Sequence, residues 1–192
     1  MQHLAVAETR AWVERAVIGL NLCPFAKAPQ SKGRIRYALS EARDDETLLA
    51  ALIEEIERLA AAPAERIETT LLIHPHVLVD FLAYNDFLGI AEDAVAELGL
   101  EGVIQVASFH PQYCFADAAA DDPGNATNRS PYPTLHLLRE ASIEAAVAAF
   151  PEPEAIYEAN IATMDRLGLT GWAALQTQCR DDALAATKQQ GD

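Results

Sequence analysis

Cys23 and five histidines are the residues in this chain whose types lend themselves to covalent or acid–base chemistry. Cys23 sits in Asn21-Leu22-Cys23-Pro24-Phe25. A lone cysteine with histidines elsewhere in the chain is a candidate nucleophile or redox thiol. It is a conditional one: at the end of a helix it faces the negative end of the dipole, which disfavours thiolate. A nearby histidine, Lys27 or an arginine would have to offset that, and burial beside Pro24 and Phe25 as a small apolar residue is the competing reading. His74 and His110 each close an apolar run and precede proline, as Ile73-His74-Pro75 and Phe109-His110-Pro111. If both runs are parallel strands, the histidines share the carboxyl edge of the sheet, where ligands bind in open α/β sheets. His110 is the candidate acid–base residue. His74 and His136 are candidates for substrate contact, and the same histidines with Cys23 make the case for a haem or metal site.

A second cluster is Asn128-Arg129-Ser130-Pro131-Tyr132-Pro133, at the end of a long Gly/Asp/Asn loop. Loops beyond roughly 12–15 residues in compact domains are functional or disordered. Pro131 predicts the first turn of a helix opening near Ser130. A helix N-terminus with an arginine beside it forms a cradle for carboxylate or phosphate. Asn128, Arg129, Ser130 and Tyr132 are therefore predicted anion contacts. The competing reading has Ser130 as a plain N-cap and Arg129 paired with Asp121 or Asp122. Residues 16–40 contain no Asp or Glu but hold Lys27, Lys32, Arg34 and Arg36. This positive island adds Arg34, Arg36 and the adjoining Asn21 to the anion-binding candidates.

The elements that must position these residues follow from periodicity. Helices are predicted over about 8–21, 45–62, 77–98, from Ser130 to about Phe150, and over about 153–167. Strands are predicted over about 34–40, 68–74 and 103–109. Alternating strands and helices imply parallel neighbours joined by crossovers. The expected fold is α/β, a small mostly parallel sheet of at least three strands with helices on both faces. An α+β arrangement with an added antiparallel strand is the alternative. One domain is expected through about residue 178, followed by a polar, frayed tail over 179–192.

Composition narrows the function classes. The net charge is −15, from 14 basic and 29 acidic residues. That opposes nucleic-acid binding, which needs a cationic footprint, and binding to anionic membranes. Three irregularly spaced cysteines fit a reducing cytosol rather than a disulfide framework. The start has no basic segment leading into an apolar one, and no stretch has the length of a membrane span. Glycine-rich phosphate loops and nucleophile elbows are absent. The expected function is a cytoplasmic enzyme acting on a small anionic metabolite at the strand-end site. The alternatives are a haem- or metal-binding protein using Cys23 and the histidines, or an acidic non-catalytic adaptor. No motif names a cofactor, and oligomeric state stays open.

The same motifs carry a resemblance. Asn21-Leu22-Cys23-Pro24-Phe25-Ala26, Phe109-His110-Pro111 with Tyr113, Phe115 and Ala116, Asn128 to Pro133, and Leu135-His136-Leu137-Leu138-Arg139-Glu140 occur in this order. In them the chain resembles the bacterial family catalogued as domain of unknown function 1415, over about residues 8–176. The resemblance implies no reaction, cofactor or partner. It falls on the residues singled out above on physical grounds.

Overall fold

The structure is a computed structural model that describes residues 3–149 and 154–189. Its centre is a four-stranded mixed sheet of β1 (Ile35–Leu39), β2 (Thr69–Ile73), β3 (Ile104–Phe109) and β4 (Thr134–Arg139), in the order β1-β2-β4-β3. β1 and β2 are parallel, and β4 runs antiparallel to both β2 and β3. β1, β2 and β3 therefore share one direction, and β4 fills the gap between the second and third. The expected sheet with helices is present, and its antiparallel β4 is the feature of the stated alternative.

β4 corrects the predicted helix at Ser130. In that reading Pro131 stood in the first turn of a helix that ran through Leu135 to Glu140. The structure instead alternates them: Leu135 and Leu137 are fully buried against one helical layer, while His136 and Leu138 face the other side. Two empty strand edges outweighed the local helical signal, because every β4 backbone group that pairs there would otherwise need another partner. A helix does follow, as α5 (Glu140–Ala148). The predicted end at Phe150, with Pro151 and Pro153, lies outside the described residues.

Helices cover both faces. α3 (Asp45–Ala61) and α4 (Phe81–Glu97) pack on one side. Asp44 caps α3 by accepting the Thr47 N–H at 2.8 Å, and Leu48, Leu52, Ile56 and Leu59 form its fully buried stripe. Asp80 caps α4 through the N–H groups of Leu82 and Ala83, so this helix starts at Phe81 rather than near Val77. The other face is covered by α1 (Leu4–Trp12) and α6 (Glu154–Gln189). α1 begins earlier than predicted, where the His3 side chain accepts the Ala5 N–H. It continues as a π-helical stretch, Val13–Ile18, ending at Gly19, where an added Cβ would lie 2.2 Å from the Arg15 carbonyl oxygen. A short helix, α2 (Lys27–Ser31), follows before β1. α6 is interrupted at Gly168, whose φ of 60° and ψ of 175° fit glycine. Past that break it runs to Gln189, so residues 179–189 are helix rather than frayed tail. Ala183 is fully buried and Asp182 pairs with Arg15.

Two side chains tie the sheet to its surroundings. The buried Tyr84 hydroxyl donates to the Thr134 carbonyl at 2.8 Å and accepts the Phe109 N–H at 3.2 Å, joining α4 to the ends of β3 and β4. At the other end of β4, Arg139 donates to the carbonyls of Leu59, Ala62 and Ile67, where α3 has run out of N–H partners. Arg139→Ala is expected to destabilise the fold by about 2 kcal/mol or more, since hydrogen bonds from charged groups contribute roughly 1.5–3 kcal/mol. Arg139→Lys, with one charge but no fork, is expected to recover only part. Chemical denaturation measures both.

Candidate functional site

β2 and β3 are parallel, so His74 and His110, each following its strand, lie at one edge of the sheet. The chain before β4 reaches the same edge: the His74 N–H donates to the Pro133 carbonyl and the His110 N–H to the Asn128 carbonyl. The shared edge inferred from the repeated strand-His-Pro ending is present. What the histidines do there is structural. His110 Nδ1 accepts the Gln112 N–H at 3.0 Å, which places its proton on Nε2, donated to the Leu78 carbonyl at 3.1 Å. His74 Nδ1 meets the Val77 carbonyl at 3.1 Å. Together the rings strap a loop in which Leu78 adopts a φ of 54°, a left-handed conformation that costs about 1–2 kcal/mol. Both histidines are fully buried, and both ring nitrogens of His110 are engaged. The structure therefore does not present His110 as an acid–base group. His136 lies within β4, away from that edge, and bonds the Thr69 hydroxyl at 2.7 Å, which itself donates to the Leu137 carbonyl.

Burial holds His74 and His136 neutral, each with its pKa lowered to about 4. Unfolded histidine titrates near 6.5, so between pH 6.5 and 4 the unfolded chain binds the extra protons. Stability is then complete above about pH 6.5 and falls as the pH drops toward 4, by roughly 3 kcal/mol for the fully buried His74. Unfolding free energies measured across this range should show the loss, and His74→Asn should remove its share of the slope.

The remaining predicted residues divide by location. Arg36 makes a two-pronged pair with Glu55 on α3, and Arg34 lies 3.9 Å from Glu68 at the start of β1. Both stand apart from the strand-end cavity described below, so the positive island does not act as one patch. Asn21 is a left-handed turn residue with a φ of 56°. Cys23 is half-buried, and desolvation pushes its thiol pKa up, opposed only by backbone hydrogen bonds at Phe25 and Ala26. A charged group does not offset the burial. In a Cys114→Ser, Cys179→Ala variant, the pH dependence of alkylation should give Cys23 an apparent pKa above the ~8.5 of a free thiol. A value below ~8 would reveal a cation beside it.

Arg129 and Ser130 do reach a cavity, although no helix starts there. The cavity has a volume of about 410 Å³ and opens between α1, α6 and the segment before β4. A 3-10 turn, Pro123–Asn128, leads into it. Asn125 receives the Phe115 N–H and donates to the Ala119 carbonyl, and Asn128 donates to the Ser108 carbonyl, so the asparagines hold the loop. Arg129 uses Nε on the Tyr113 carbonyl and Nη2 on the Ala120 carbonyl, at 3.1 and 3.0 Å. It pairs with neither Asp121 nor Asp122, and its Nη1 has no hydrogen bond among the described residues. Ser130 donates to the Tyr132 carbonyl at 2.6 Å. Tyr132 donates its hydroxyl to Glu8 Oε2 at 2.8 Å.

Sequence reasoning missed the other half of this cavity: Glu8 and Trp12 from α1, Trp172 and Arg180 from α6. The tail expected over 179–192 contains Arg180, which instead lies on α6. One signal was available: the chain has two tryptophans, and both line the cavity. Both rings are at least nine-tenths buried, yet neither indole N–H has a hydrogen-bond partner. A buried unpaired donor costs about 1–3 kcal/mol. The π-helical stretch that follows Trp12 contributes Ala16 to the wall, and such insertions occur frequently at functional sites. Among the described residues, no group of three or more His, Cys, Asp or Glu side chains is placed to hold a metal ion. No helix among them is long and apolar enough to cross a membrane.

No curated protein and no solved structure matches the chain. The family model described as protein of unknown function (DUF1415) matches residues 4–174, a span that contains every cavity residue named above except Arg180. The chain thus belongs to the DUF1415 family.

Proposed function

We propose that this protein is a cytoplasmic enzyme that acts on a small anionic molecule bound in the cavity between α1, α6 and the Arg129–Pro131 segment. The observation that carries the reading is the excess of unused donors in one concave site. Arg129 has a free Nη1, and Arg180 stands at the rim without an ion pair among the described residues, while Trp12 and Trp172 line the same cavity. An anion supplies the acceptors that both arginines need. The volume lies within the range of small-molecule sites, roughly 300–1,000 Å³. The cytoplasmic assignment rests on three free cysteines. For proton transfer the cavity offers the Glu8 carboxylate, held by the Tyr132 hydroxyl, rather than His110 or Cys23.

Because both tryptophans line the cavity, their emission reports its occupancy directly. Phosphate, sulfate or small carboxylates are expected to change it saturably. Arg180→Ala is expected to weaken binding about tenfold, the effect of losing one charge-assisted contact at an exposed rim. Arg180→Lys should restore part of the loss. An emission unresponsive to every anion, or an Arg180→Ala variant that binds as tightly as wild type, would overturn the reading.

A further inference from the structure

The cavity holds two arginines and one carboxylate, and they do not pair. Glu8 forms no ion pair within 4 Å with Arg129, Arg180 or any other cation among the described residues. Opposite charges that share a cleft attract one another. Here Arg129 and Glu8 are both held back. Arg129 is fastened through Nε and Nη2 to two carbonyls of its own loop. Glu8 is fastened through Oε2 to the Tyr132 hydroxyl, and its Oε1 has no hydrogen-bond partner among the described residues. The result is a site with both signs of charge and an unpaired valence on each. Trp12, Trp172, Leu175 and Pro111 line the same cavity.

A simple anion answers only half of this arrangement. It satisfies the arginines, but it meets Glu8 as a like charge. A ligand that carries an anionic group and an amino group a few bonds apart answers all of it. The anion takes the guanidinium donors, the ammonium takes Glu8 Oε1, and an apolar remainder lies on the indole rings. We propose that the cavity recognises a small amino-carboxylate zwitterion of the α-amino-acid type, with Glu8 as the residue that selects the amino group. This proposal rests on the anion-site reading above and names its ligand class.

Isothermal titration calorimetry of the full chain with each standard amino acid tests it, followed by the deaminated and decarboxylated analogues of the tightest binder. For leucine these are 4-methylpentanoate and 3-methylbutylamine. The zwitterion is expected to bind at least tenfold more tightly than either analogue. In Glu8→Gln, whose amide oxygen still accepts the Tyr132 hydroxyl, the amino acid should bind no better than its deaminated analogue. The wild-type comparison needs no variant, so it stands even if Glu8→Gln folds poorly. A deaminated analogue that equals the amino acid would overturn the proposed role of Glu8 while leaving the anion site intact. If no amino acid binds but phosphate or sulfate still changes the tryptophan emission, the zwitterion class is wrong and the anion site survives. If nothing binds by either method, both readings fall.

Discussion

The rest of the structure depends on β4 being hydrogen-bonded along both of its edges. β2 and β3 run in the same direction but do not touch; they leave a gap one strand wide. Every N–H and C=O facing that gap would be unpaired in the interior if it stayed empty, and each such group costs free energy comparable to a lost hydrogen bond. β4 closes it, in register from Thr134 against Ile73 and Phe109 to Arg139 against Ile104. Because it enters antiparallel, the chain must return to the carboxyl edge of β3 before it starts. Residues 110–133 are that return.

The return explains what the histidines, asparagines and tyrosine near it are for. A long segment at a sheet edge has many backbone groups and few regular partners. His110, Asn125, Asn128 and Arg129 satisfy them one at a time, each from a side chain with fixed geometry. His74 and His110 do the same for the strained turn at Leu78, and Tyr84 bridges β3 and β4 from beneath. Residue types suited to catalysis are used here for their directional hydrogen bonds. Desolvation reinforces that use by keeping His74 and His110 neutral, so that each ring can donate to a carbonyl without bringing a charge into the core.

The same return, held rigid, forms one wall of the cavity; α1 and the part of α6 beyond Gly168 form the others. The site is therefore assembled from three segments distant in the chain. Its charges are set by what holds them: Arg129 by carbonyls of its own loop, Glu8 by Tyr132 across the fold. That pinning keeps Arg129 and Glu8 apart in one cleft, so the cavity's charges depend on the loop's architecture rather than on a local motif.

Much of the frame was legible in the sequence. The stripe Leu48, Leu49, Leu52, Ile53, Ile56 and Leu59, the apolar runs at 71–73 and 103–107, and the repeated strand-His-Pro ending all act through near neighbours, and local spacing is enough to read them. That the segment before Ser130 is held in place was legible too, because a long loop rich in asparagine and aspartate leaves many backbone groups to satisfy. The identity of residues 134–139 was not. Leu135-His136-Leu137-Leu138-Arg139 suits a helix stripe and a strand alternation alike, and the gap between β2 and β3, which decides for strand, exists only once the sheet has formed. Nor could the sequence show that Glu8, Trp12, Trp172 and Arg180 meet Arg129, since Glu8 and Arg180 stand 172 residues apart. By itself the sequence determined the helical layers, the parallel strands and the edge where a site would lie. The tertiary structure decided which side chains face that site and which are spent on backbone carbonyls, because hydrogen-bond satisfaction in a buried return is settled by partners that only folding brings within 3 Å.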